Sequence, residues 1–85
     1  MRKNPLLELR ERWGLSLRDI ALLLGISPQA YLHAERGSRR DITNYERKLK
    51  ALGLLKEDEN IAEDYQQWKK ELLEQLQKEI LEKTQ

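Results

Sequence analysis

Apolar residues recur along the first part of the chain at the three- and four-residue spacing of helices. They form four short stretches, and each stretch is followed by one of the four glycines of the chain. Glycine directly after an apolar-periodic stretch is a typical helix stop. The pattern predicts helices over about residues 5–13, 17–24, 28–36 and 44–52.

Helix-start signals precede these stretches. Pro5 and Pro28 each follow a residue whose side chain can cap a helix, and proline suits the first helical position because its missing N–H needs no partner there. Ser16 is placed to cap the second helix. Thr43, with Glu46 three residues later, predicts a capping box at the start of the fourth helix.

A fifth and longer helix is predicted over about residues 58–83, because Gly and Pro are absent after residue 53 and good helix formers dominate. Its apolar residues are spaced by 4, 3, 4, 4 and 4 positions, which is not a clean heptad. These residues form an apolar stripe that turns gradually around the helix, and this predicts two contact zones. Tyr65 and Trp68 either dock on the chain's own domain or begin a dimer contact, while the later residues meet another helix. We assign to a dimer or partner interface Tyr65, Trp68, Leu72, Leu73, Leu76 and Ile80.

Composition narrows the class of protein. Leucine is abundant, Val and Phe are absent and β-branched residues are few, so we expect an all-α fold. The absence of cysteine excludes disulfides, Cys-ligated zinc and thiol catalysis, and it fits a cytoplasmic protein. No apolar run approaches the ~18 residues that a membrane-spanning helix needs. We expect no cofactor and no metal.

Charge divides the chain into two parts. Residues 1–55 hold eleven Lys or Arg against six acids, whereas residues 56–85 hold five Lys against nine acids. This asymmetry predicts two parts with separate roles: a basic domain over 1–55 that could meet phosphates, and over 56–85 an acidic, amphipathic helix for dimerisation or partner binding.

The segment 17–36 has the features of a helix-turn-helix unit, in which two short helices are joined by a tight glycine-containing turn. Ala21 is small where the helices would cross, and Gly25 permits the turn. The string from Gly14-Leu15-Ser16 through Ile20-Ala21 to Leu24-Gly25-Ile26-Ser27, with Glu35-Arg36-Gly37 after the third helix, resembles the Cro/XRE-type helix-turn-helix family of phage and bacterial repressors. The resemblance covers about residues 6–53.

This resemblance implies a compact bundle of four or five helices that places its third helix in the DNA major groove, and small members that commonly repress as dimers. The residues it turns toward DNA are Ser27, Pro28, Gln29, Leu32, His33 and Arg36. Gln29 is the best base-reading candidate, because its amide can both donate to and accept from an adenine edge. The basic loop Ser38-Arg39-Arg40 is expected to contact phosphates.

Three of these residues have two alternative roles in the sequence. His33 either contacts a base or phosphate or is an ordinary surface residue. Leu32 either touches a thymine methyl or packs under the following loop. In the family an acid before the loop often pairs with an arginine, so Glu35 pairs either with Arg10 or with Arg18, and an unpaired Arg18 is available for phosphate.

The leading hypothesis is a homodimeric, sequence-specific regulator of double-stranded DNA, acting as a repressor. The alternative is a protein-interaction module, or an antitoxin-like protein, that uses the C-terminal helix to hold a partner protein. An enzyme is not expected, because a single histidine, no cysteine and no glycine-rich phosphate loop leave no catalytic constellation.

Overall fold

The computed structural model describes residues 2–83. Helices are the only regular secondary structure in this span, as the sequence predicts. No helix in residues 2–83 has the length and hydropathy to cross a membrane. The helices are α1 (Pro5–Trp13), α2 (Leu17–Leu24), α3 (Pro28–Glu35), α4 (Thr43–Ala51) and α5 (Ile61–Lys83).

Capping side chains set the starts of the first two helices. The Asn4 side chain accepts a hydrogen bond from the Leu6 amide at 3.2 Å, and the Ser16 hydroxyl accepts one from the Asp19 amide at 3.1 Å. Each bond satisfies an amide that the helix itself leaves without a partner. The predicted starts of α1 and α2 are confirmed.

The predicted capping box of α4 is wrong, and the helix begins at Thr43. The N-cap is Ile42, and the Asp41 carboxylate before it accepts from the Thr43 amide at 3.2 Å and from the Thr43 hydroxyl at 2.7 Å. The hydroxyl bond is the main reason why the pKa of Asp41 is lowered. Glu46 instead accepts from the Ala62 amide at 3.1 Å and thereby caps α5.

α5 begins three residues later than predicted, because the preceding segment is held in a turn. A Glu59 carboxylate oxygen accepts from the Lys56 amide at 3.0 Å, and the same carboxylate pairs with Arg12 at 2.9 Å. The Lys56 bond first, and the Arg12 bond second, lower the pKa of Glu59. These bonds tie the approach to α5 to the end of α1.

A single hydrophobic core extends past residue 55, the predicted division of the chain, because the first turns of α5 complete it. α5 packs against α1 and α4, while α2 packs mainly on α3. The buried residues are Leu6, Leu9, Ile20, Ala21, Leu24, Tyr31, Ala34, Ile42, Tyr45, Leu49, Leu55, Ile61, Tyr65 and Trp68.

The apolar stripe of α5 divides where the helix leaves the domain. We call residues 61–72 proximal α5 and residues 73–83 distal α5. Tyr65 is fully buried and Trp68 is 7% exposed within this one chain, so both dock on the chain's own domain, which is the first of the two predicted alternatives. Leu72 is partly buried against the core, whereas Leu73 and Leu76 are 59% and 48% exposed.

Gly37 allows proximal α5 to approach the end of α3. Its φ of +89° lies in the left-handed region, and an added Cβ would come within 3.3 Å of the Trp68 ring. Any other residue there would be strained in its backbone and crowded against the indole. The glycine that ends α3 therefore also makes room for the Trp68 ring.

Candidate nucleic-acid interface

α2 and α3 form the predicted helix-turn-helix unit. Gly25, with φ +71°, ends α2 in the left-handed conformation, and its amide donates to the Ala21 carbonyl. The Ser27 hydroxyl then caps α3 by accepting from the Ala30 amide at 3.1 Å, with Pro28 at the first helical position. This tight connection fixes how α3 is presented.

α3 buries one face and presents the opposite one. Tyr31 and Ala34 are fully buried, whereas Gln29 and His33, two and one residues before them, are exposed. The Tyr31 hydroxyl donates to the Leu6 carbonyl at 2.8 Å, and burial raises the pKa of this tyrosine. The exposed face of α3, which carries Gln29 and His33, therefore lies on a helix whose opposite face is fixed in the core.

The end of α3 is held by two further contacts. The Tyr65 hydroxyl donates to the Ala34 carbonyl at 2.6 Å, and burial raises the pKa of Tyr65. The Asn4 side-chain amide donates to the Glu35 carbonyl. The Ala34 carbonyl also accepts from the Gly37 amide at 3.0 Å, so Tyr65 adds a second donor there. Asn4, the N-cap of α1, and Tyr65 of α5 together stabilise the α3 terminus.

Arg10, not Arg18, is the partner of Glu35. The Arg10 Nε and one terminal guanidinium nitrogen each lie 2.9 Å from a Glu35 carboxylate oxygen, a two-point contact with both side chains largely shielded from solvent. The Glu35 hydrogen bonds are the main reason why the pKa of Arg10 is raised. Arg18 is exposed and makes no ion pair within residues 2–83, which leaves its charge available.

Most predicted DNA contacts lie on the surface. Leu32 is half-buried, an exposure that fits a thymine contact and packing under the following loop equally well. The exposed residues among those predicted are Arg18, Ser27, Pro28, Gln29, His33, Arg36, Ser38 and Arg40.

Arg39 differs from its neighbour Arg40. Its guanidinium carbon lies 4.5 Å from the centre of the Tyr45 ring, and its Nε donates to the Asp41 carbonyl at 2.9 Å. Arg39 is therefore half-buried against α4, while Arg40 presents its charge to solvent. Of the two arginines in the loop, Arg40 is the one whose side chain is exposed for a phosphate.

Three polar residues of structural importance near this surface carry no signal in the sequence. The Lys48 ammonium donates to the Leu24 carbonyl at 2.9 Å, at the end of α2. Gln66 and Lys69 of α5 donate to carbonyls of the basic loop. Such bonds depend on how distant segments meet, and neither periodicity nor local spacing indicates that meeting.

Comparison with known proteins places the helical unit in a family. A helix-turn-helix family model matches residues 6–54, which is more than half of the chain and runs from α1 to just past α4. Searches of curated proteins and of solved structures found no match. The predicted resemblance is confirmed, and the chain belongs to the Cro/C1-type helix-turn-helix family, whose members are DNA-binding regulators and generally not enzymes.

Proposed function

We propose that this helix-turn-helix protein is a sequence-specific repressor that binds duplex DNA as a symmetric dimer, with α3 in the major groove. The observation that carries the proposal is the outward face of α3. Gln29 and His33 are exposed one turn apart on a helix whose other face is buried. A base-reading side chain needs such a rigid support, because discrimination between bases depends on hydrogen-bond geometry.

Phosphate contacts come from cations beside α3. Arg40 lies in the loop after α3, Arg36 at its end and Arg18 near the start of α2, and all three are exposed. Contacts to phosphates fix the register of a protein on DNA without reading sequence. Repression then needs no further chemistry, since an occupied site excludes polymerase. The site of action is the compartment that holds the DNA, which we take to be the cytoplasm.

Distal α5 supplies the dimer contact in this proposal. Leu73 and Leu76 are exposed on a helix that extends beyond the core, and pairing with a second copy would remove them from water. Two copies related by a two-fold axis would read half-sites separated by about 34 Å, one turn of DNA.

Selection from random duplex DNA, followed by anisotropy titration of the enriched site at several salt concentrations, tests the proposal. We expect a two-fold motif and a steep loss of affinity with salt. Gln29→Ala should cost about 1–3 kcal/mol on the selected site and relax the preference at one base pair. Arg40→Ala should weaken selected and random DNA alike and reduce the salt slope by about one unit.

Lys70→Ala is the control for Arg40→Ala, because it removes an exposed charge on α5 that has no hydrogen-bond or ion-pair partner within residues 2–83. Equal losses on selected and random DNA for Gln29→Ala would contradict its base-reading role. Failure to enrich any sequence would contradict the function itself.

The second candidate is a module that holds a different protein through distal α5, as an antitoxin holds its toxin. The exposure of Leu73 and Leu76 supports it, as does the excess of acids over lysines in residues 56–85. Light scattering at tens of micromolar separates the two candidates: a dimer supports the homodimeric repressor, and a monomer supports the hetero-partner.

A further inference from the structure

The basic loop after α3 is attached to α5 through its backbone. The Lys69 ammonium donates to the Arg39 carbonyl at 2.7 Å and to the Arg40 carbonyl at 3.1 Å. The Gln66 side-chain amide donates to the same Arg40 carbonyl at 2.7 Å. Two residues on adjacent turns of one helix therefore hold two consecutive peptide groups of the loop.

The Lys69 bond to the Arg39 carbonyl is partly buried beside the core, whereas the two bonds to the Arg40 carbonyl are exposed. The Lys69 ammonium is 5.1 Å from the centre of the Tyr65 ring, and the Tyr65 hydroxyl itself bonds to the end of α3. Lys69 is half-buried, so water competes less for its ammonium than for that of an exposed lysine. A charged donor also forms stronger hydrogen bonds than a neutral one.

The opposite side of the loop is fixed by Arg39. Its guanidinium lies over the Tyr45 ring and bonds to the Asp41 carbonyl, so this side chain points into the fold. With Arg39 turned inward and the Arg40 carbonyl held by α5, the direction of the Arg40 side chain is restricted. A phosphate contact from Arg40 then requires less ordering of the loop upon binding.

We propose that Lys69 and Gln66 are positioning residues for DNA binding: they hold the 38–41 loop in the arrangement that presents Ser38 and Arg40 to the phosphates. The inference deepens the proposed function and rests on it. It assigns to α5 a role in DNA affinity that is separate from any role in pairing, and it places that role on residues outside the segment matched by the family model.

Two pairs of variants test this role. Lys69→Met and Lys70→Met remove the same charge from adjacent positions, but only Lys69 bonds to the loop. Gln66→Ala and Gln67→Ala shorten the same side chain, and only Gln66 bonds to the loop. Gln66→Ala is the more discriminating variant, because it changes no charge and cannot act through long-range attraction to DNA.

We expect Lys69→Met to weaken binding roughly tenfold on both selected and random DNA, and to reduce the salt slope by about one unit, because the Arg40 contact becomes disordered. Gln66→Ala should lower affinity roughly threefold in the same way, since one neutral hydrogen bond is lost. Lys69→Arg, which keeps a cationic multiple donor, should recover most of the affinity. Base preference at the selected site should not change.

Amide hydrogen exchange in the free protein provides a readout independent of DNA. Exchange at residues 38–42 should accelerate in Lys69→Met and Gln66→Ala but not in the two controls, while thermal unfolding confirms that every variant is folded. Equal DNA affinity for each variant and its control would overturn the positioning role even if wild-type protein binds DNA well. A wild-type protein that selects no DNA would overturn the proposed function, and this inference with it.

Discussion

Proximal and distal α5 are halves of one continuous helix with similar apolar spacing, yet they meet different surroundings. Proximal α5 places Tyr65 and Trp68 in the core and bonds to the end of α3. Distal α5 leaves Leu73 and Leu76 about half exposed or more. The same kind of apolar stripe thus forms part of the core in one half of the helix and an exposed surface in the other.

Reach, rather than composition, explains the difference. The apolar stripe turns gradually around the helix, and α5 extends beyond the domain surface against which its first turns pack. The eleven residues of distal α5 extend roughly 16 Å at the helical rise of about 1.5 Å per residue. A sequence pattern reports that a face is apolar, but it does not report which surface covers that face. The four changes below test this division, from the largest expected loss of stability to the smallest.

Ending the chain after Asn60 should abolish cooperative folding. It removes Ile61, Tyr65 and Trp68 from the core and uncovers α1, which packs against α5. A chain ending after Glu74 keeps proximal α5 and should melt cooperatively by circular dichroism, like the full protein at concentrations low enough to keep it monomeric. A cooperative, near-normal melt of the shorter chain would show that the core does not require proximal α5.

Trp68→Ala should lower the free energy of unfolding by about 3 kcal/mol, because it leaves a cavity under the Gly37 turn. Gln67→Ala, one residue earlier and exposed, should change it by less than about 0.5 kcal/mol. Urea denaturation of both variants measures the difference. Equal midpoints for the two variants would contradict the burial of the indole.

Tyr65→Phe should cost about 1 kcal/mol, since it removes the hydroxyl that donates to the Ala34 carbonyl. Tyr45→Phe is the matched control: the Tyr45 hydroxyl is buried and has no hydrogen-bond partner among the described residues. Its loss should be neutral or slightly stabilising, because an unsatisfied buried polar group is removed. Denaturant midpoints that move equally in both variants would argue against the α5–α3 bond.

Leu76→Ser should change the unfolding free energy of the isolated monomer by less than about 0.5 kcal/mol, because the side chain is exposed. In the proposed dimer, the melting temperature of wild-type protein rises with protein concentration, and Leu76→Ser removes that rise. Gln77→Ser is the control for the loss of helix propensity. A wild-type melting temperature that does not depend on concentration would argue against pairing through distal α5.

The helices and their caps were largely predictable because their signals are local. Gly25, Ser27 and Pro28 fix their turn with neighbours a few residues away, and the structure agrees with the pattern there. The errors arise where a distant group competes. Glu46 fits a local capping box, but the Ala62 amide is a second acceptable donor, and only the packed fold brings it near.

The candidate site shows the same limit. The exposure of Gln29 and His33 follows from helical periodicity once Tyr31 and Ala34 are taken as core. The choice of Arg10 over Arg18 as the partner of Glu35 does not follow, because both arginines stand on helices near α3 and only tertiary geometry separates them. The attachment of the basic loop by Lys69 is likewise a contact across 30 residues of sequence.

The packing of α1 against α5 also affects how the protein is made. The core closes only when Trp68 is available, and Trp68 follows the end of α4 by 17 residues. At ~5–20 residues per second, a ribosome needs about one to three seconds to add that segment. During this interval the nascent chain already contains every helix of the DNA-binding unit, but the apolar face of α1 lacks its cover.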